Sequence, residues 1–179
     1  MSLNYKSLLK LQMNSFKKSI PTVFSDSAVK CIYLILDSTY DELLNLSKQI
    51  PDQDHSKPLN PGRRSFRENI IHILNMEELN LMLLAQALII DKPEVLKIHS
   101  ERDIGKLKIF EPLSTKELLS YFKLRRKILL NLLQSLSREQ WSRVIIEKNK
   151  TRQESVYWRT RTLALHEYEH IQIMNLQIK

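Results

Sequence analysis

The stretch Thr160-Arg161-Thr162-Leu163-Ala164-Leu165-His166-Glu167-Tyr168-Glu169-His170-Ile171 carries two histidines four residues apart inside a run with helical spacing of apolar residues. Positions i and i+4 lie one above the other on a helix face. Two imidazoles so placed can approach one metal ion from the same side. With His166 set at zero on a helical wheel, Arg159, Leu163, His170, Met174 and Gln177 fall within about 80° of it. Both histidines therefore sit on the apolar face of a helix expected from about Glu154 to Gln177. Buried imidazole nitrogens need partners, either polar groups of the core or a metal.

A second histidine-bearing helix is expected upstream. Ser65 with Glu68 three residues later forms a capping-box pattern that starts it, and it runs to about Ile90, before Asp91-Lys92-Pro93. Ser65, Asn69, Met76, Leu79, Leu83, Ala87 and Ile90 lie within about 60° of His72, which places this third histidine on the inward stripe. His72, His166 and His170 are thus a candidate metal triad. Three neutral imidazoles leave a coordination position open for water or substrate, the arrangement of catalytic rather than structural zinc. Imidazole also suits nickel, iron and manganese, so a divalent ion is expected without its identity. Glu169, Glu167 and Glu77 are candidate partners for the free ring nitrogens. Asn75 is a candidate for the rim. Arg159, on the face of His166, can bind an anionic group or form an ion pair. No Ser or Cys nucleophile with an adjacent base stands out, so the catalytic residues are unassigned.

Two more helices complete the pattern. One starts at Ser25 or Asp26 and runs to about Gln49 on Ala28, Ile32, Ile35, Leu36, Leu43, Leu44 and Leu46. The other starts at Ser114 or Thr115 and runs to about Ser135 on Leu118, Leu119, Phe122, Ile128, Leu129, Leu132 and Leu133. Residues 51–62 read as an ordered loop, with His55 at the surface. Residues 93–113 read as a long crossover in which His99 has no role. Ser137 to Trp141 reads as one helical turn, and residues 144–152 as a polar, exposed, hairpin-like link. No strand is expected. The fold class is all-α: a four-helix bundle with a long crossover and an extra short N-terminal helix. Residues 1–21 form a basic amphipathic arm ended by Pro21, and residues 22–179 form the bundle domain.

Composition limits the alternatives. The 179 residues suffice for one domain. Only two glycines occur, Gly62 and Gly105, which leaves no room for a glycine-rich phosphate loop or a Rossmann fingerprint. The single cysteine, Cys31, excludes an intrachain disulfide and a Cys-based zinc site and is expected in the core. With no signal-like segment and no apolar run of membrane-spanning length, a cytoplasmic protein without membrane contact is expected. The net charge of +8 is spread over short clusters such as Arg63-Arg64 and Arg125-Arg126-Lys127. It reads as solvated helix faces, and no nucleic acid is expected.

The chain resembles the DinB-like (damage-inducible, YfiT-type) superfamily of four-helix bundle metal proteins. The likeness rests on the helix start Ser65-Phe66-Arg67-Glu68-Asn69-Ile70-Ile71-His72-Ile73-Leu74, the turn Leu136-Ser137-Arg138-Glu139-Gln140-Trp141, and the closing His166-Glu167-Tyr168-Glu169-His170. It implies His72, His166 and His170 as ligands of a divalent metal, and a homodimer. It also implies a metal-dependent thiol S-transferase acting on a small thiol as one activity; a hydrolase is the other enzymatic reading. A metal-stabilised bundle serving as an interaction module without turnover is the alternative. Three positions depart from the family's pattern: Glu167 replaces Asp, Ile173 replaces Gln, and Asn75 replaces Asp.

Overall fold

The computed structural model describes Phe16, residues 20–151 and residues 153–178. Most of the N-terminal amphipathic arm, with its expected short helix, lies outside the described residues. Four long helices form the bundle: α1 (Asp26–Ser47), α2 (Phe66–Ile89), α3 (Thr115–Ser135) and α5 (Val156–Gln177), with the single turn α4 (Arg138–Ser142) before the last. Each begins where a serine can cap it. Ser25, Ser65, Ser114, Ser137 and Ser155 each accept a hydrogen bond from a backbone N–H of the first turn. At Ser65, Ser114 and Ser137 the third helical residue returns the bond, completing reciprocal caps. Substituting Ser65 by Ala is expected to cost about 1 kcal/mol; an unchanged midpoint in urea would show that the cap contributes nothing.

The helices pack as the apolar stripes require. α1 lies against α5 and α3, and α2 lies against α5 and α3. Buried side chains form two apolar clusters stacked along the bundle axis. One gathers Ile32, Leu36, Leu84, Leu129, Val156 and Leu163. The other gathers Leu43, Phe66, Ile73, Phe122, Ile171 and Met174. Among the described residues no helix is long and apolar enough to cross a membrane.

Four local expectations give way to tertiary context. First, the expected absence of strands does not hold. β2 (Val144–Glu147) pairs in parallel with β1 (Glu94–Val95) and antiparallel with β3 (Glu154–Ser155). The β-branched run Val144-Ile145-Ile146 suits a pleated surface, and Asn149 turns the link with φ +68°. Second, Cys31 is exposed, because Ile32, one position and about 100° round the helix, takes the inward place. Third, His55 is buried, its Nε2 lying 3.2 Å from the Ser47 carbonyl oxygen at the end of α1 and its ring 5.2 Å from that of Phe66. The 51–62 loop folds back over the helix end, so a residue expected at the surface closes one of its free carbonyls. Fourth, the crossover, whose mixed sequence reads as irregular, carries short helical turns. Ser100–Ile104 forms one π-helical turn and Gly105–Leu107 a 3-10 turn, and the π turn packs on α2.

At the other end, Ile20 is fully buried and its carbonyl accepts from Arg161 Nε at 2.8 Å. The Pro21 carbonyl accepts from the Tyr157 hydroxyl at 2.6 Å.

Candidate metal centre

α2 and α5 bring His72, His166 and His170 together. His72 Nε2 lies 3.0 Å from His166 Nε2 and 3.0 Å from His170 Nε2. The ring centroids are 4.4–4.8 Å apart and the rings are tilted by 51–58°, so the three are not stacked but turn one edge each to a common point. His72 is buried, and the other two are half-buried.

The outer ring nitrogens define which tautomer each histidine adopts. His72 Nδ1 meets the carboxylate of Glu101, on the π turn. A carboxylate accepts, so the proton of a neutral His72 sits on Nδ1 and its Nε2 carries a lone pair. His170 Nδ1 lies 3.3 Å from Asn69 Oδ1. That amide is oriented by its own Nδ2, which donates to the Ser65 carbonyl at 2.9 Å. Asn69 therefore presents oxygen, His170 donates from Nδ1, and its Nε2 carries a lone pair as well. Two lone pairs then face each other across 3.0 Å, a repulsive contact unless a cation lies between them.

A proton does not serve as that cation near neutrality. Burial, the largest influence, and the neighbouring His72 lower the pKa of His166 to about 4. Burial and the neighbouring His166 and His72 lower that of His170 to about 3. Burial lowers His72 too, with Glu101 opposing. Three neutral imidazoles with converging lone pairs make a donor set that could hold a metal ion. Two nitrogens each about 2.0–2.1 Å from a shared ion lie within roughly 4.2 Å of each other, and the 3.0 Å separations satisfy this. The donor set fits a divalent transition metal, and these three residues could hold one.

Other candidates fall elsewhere. Glu77 and Glu167 do not reach the histidines. Both are fully buried and bind Arg126 of α3, at 3.0 Å and 2.7 Å. They point away because they lie about 140° and 100° round their helices from His72 and His166. Glu169 is half-buried and, with Arg161, Thr162, Leu165 and His166, lines a cavity of about 300 Å³ beside the centre. Asn75 is buried against the crossover, its Nδ2 next to Gly105. Arg159 forms ion pairs with Glu147 and Glu154, at 3.4 Å and 2.7 Å. His166 Nδ1 has no hydrogen-bond partner among the described residues.

Sequence reasoning missed Glu101, Asn69 and Arg64. Arg64 Nη2 donates to Glu101 Oε2 at 3.3 Å. Burial alone would raise the pKa of Glu101, but the hydrogen bond to His72, together with Arg64, holds it below the usual range. Glu101 sits in irregular chain, where no periodicity points to a partner. Asn69 left one trace, a polar residue on the inward stripe of His72.

A sequence model of the DinB superfamily matches residues 35–174. Among solved structures the fold is similar to that of YfiT from Bacillus subtilis, with a TM-score of 0.74 at 12% identity over 87% of this chain and 88% of that one. YfiT is described as a probable metal-dependent hydrolase with an unusual four-helix bundle topology. No curated protein matches the chain.

Proposed function

The chain belongs to the DinB superfamily, and on that premise we propose that it holds one divalent metal ion through His72, His166 and His170 and turns over a small-molecule substrate there. The observation that carries this reading is the pair of lone-pair-bearing nitrogens, His72 Nε2 and His170 Nε2, 3.0 Å apart with His166 Nε2 beside them. When bound, the ion supplies Lewis acidity and lowers the pKa of a water or thiol that it coordinates.

The protein's own groups prepare the ligands. Glu101 keeps the His72 proton on Nδ1, and Arg64 steadies Glu101. Asn69 does the same for His170. Such outer partners fix ring orientation and raise ligand basicity. Two reaction classes follow, transfer to the sulfur of a low-molecular-weight thiol and hydrolysis. The description of YfiT supports hydrolysis, and the suitability of thiolate as a metal ligand supports the former.

The test uses protein purified without a histidine tag. About one equivalent of zinc, nickel, iron or manganese per chain is expected, and His166→Ala should retain less than a tenth of it. Equal metal content in the two proteins, or none in either, would remove the proposal. With a loaded protein, consumption of a small thiol together with an electrophile marks the transferase. A rate rising with pH through the neutral range on an ester or amide marks the hydrolase.

A further inference from the structure

The two apolar clusters are separated by one polar layer that crosses all four long helices. On α1 the residue between the clusters is Thr39, on α2 Glu77, on α3 Arg126 and on α5 Glu167. All four are buried, at 0–3% exposure. Arg126 Nη2 donates to Glu77 Oε2 at 3.0 Å and to both oxygens of Glu167 at 2.7 and 2.8 Å. One residue nearer the surface the pattern repeats. Arg125 Nη2 donates to Glu78 Oε2 at 2.7 Å and Tyr121 to Glu78 Oε1 at 2.8 Å. The doublet Glu77-Glu78 of α2 is thus paired, in register, with the doublet Arg125-Arg126 of α3.

We propose that Arg126 is a positioning residue for the metal centre: by holding Glu77 and Glu167 it locks the axial register of α2 against α5 and so keeps His72 level with His166 and His170. This rests on the proposed metal site. Apolar contacts are non-directional and tolerate sliding of one helix along another. A charged, hydrogen-bonded layer does not, and setting register is the best-attested use of such groups. The tolerance at the centre is small. Slipping by one turn moves a side chain about 5.4 Å along the axis, more than twice a metal–nitrogen distance of about 2.0–2.1 Å. Glu167 adjoins His166 in the chain, and Glu77 lies about 7.5 Å along the axis from His72. α3, which brings no ligand, thereby sets the height of both helices that do.

Stability alone is a poor account of the layer. Arg126 Nε and Nη1 and Glu77 Oε1 have no hydrogen-bond partner among the described residues, and a partly satisfied buried network is a costly way to fill a core. Replacing such a set by apolar side chains of similar volume is often neutral.

The test is titration of Co²⁺ into the full chain, read as a dissociation constant and as the visible spectrum, which reports coordination geometry. The triple variant Glu77→Leu/Arg126→Met/Glu167→Leu is expected to melt cooperatively yet bind Co²⁺ about tenfold or more weakly, with an altered spectrum. Arg126→Lys, which keeps a cation in the layer, should recover part of that loss. Leu129→Ala, a cavity in one apolar cluster, should lower Tm and leave both readouts unchanged. Wild-type affinity and spectrum in the triple variant would overturn the inference while leaving the metal site standing. If the triple variant does not fold, Arg126→Lys decides: weaker binding supports the lock, and wild-type binding overturns it. Absence of Co²⁺ binding by the unaltered chain would remove the site and the lock together.

Discussion

Replacing Arg126 by Ala is expected to cost about 3–5 kcal/mol of folding stability, because it leaves two buried carboxylates without their counter-charge. Glu77 and Glu167 are both fully buried, and Arg126 is 3% exposed. Burial pushes the pKa of Glu77 up to about 7, with Arg126 pulling it down and Glu167 pushing it up again. Without Arg126 the larger downward pull is lost and only that of Arg125 remains, so a neutral Glu77 becomes the cheaper state. A carboxyl whose folded pKa lies above its unfolded value contributes stability at low pH and loses it as pH rises through the folded pKa. The gap between the wild-type protein and Arg126→Ala should therefore widen from pH 5 to pH 8. Urea midpoints at the two pH values measure it. A loss below about 1 kcal/mol at pH 8 would mean that the carboxylates reach solvent. The triple apolar variant should recover most of the loss, since it removes the charges as a set.

The second large effect is acid sensitivity of the metal-free protein. His166, at about 4, and His170, at about 3, are lowered chiefly by burial, and His72 is lowered in the same way. An unfolded histidine titrates near 6.5. Between that value and the folded ones the unfolded chain binds more protons, so stability is full above about pH 6.5 and falls as pH drops toward 4. Glu77 runs the opposite way, gaining stability over the same interval, but it is one group against three. Discounting for partial exposure and for mutual coupling, the net loss is on the order of 3 kcal/mol. Thermal melts in chelator from pH 7.5 to 4.5 should show it. The double variant His166→Asn/His170→Asn should flatten the profile, and a wild-type curve parallel to that of the variant would refute the assignment. Loading with metal should raise Tm at pH 7.5 and steepen the fall, because protons and metal compete for the same lone pairs.

Much of this molecule was legible in one dimension. Serine caps at Ser25, Ser65 and Ser114, the last two three residues ahead of a glutamate, together with apolar residues at helical spacing, place the boundaries of α1, α2, α3 and α5 within two residues of those observed. These are local interactions, settled within one or two turns of chain. The inward direction of His72, His166 and His170 was legible for the same reason, since a helix converts spacing into facing.

What spacing does not contain is the height of one helix relative to another. Glu167 adjoins His166 in the chain and Glu77 lies five residues from His72, yet the placement of α3 beside α2, with Arg126 reaching across to α5, hands both carboxylates to Arg126. The partner of His72 comes instead from Glu101, 29 residues on, where an irregular turn folds over α2. Exposed Cys31 and buried His55 follow the same division. The helical period limits which faces turn inward, and only the packed chain decides which side chain meets which. Local hydrogen bonding and apolar periodicity act over a few residues and are written directly in the sequence, whereas ion pairs, ring tautomers and the meeting of three imidazoles depend on distances between segments that no local rule sets.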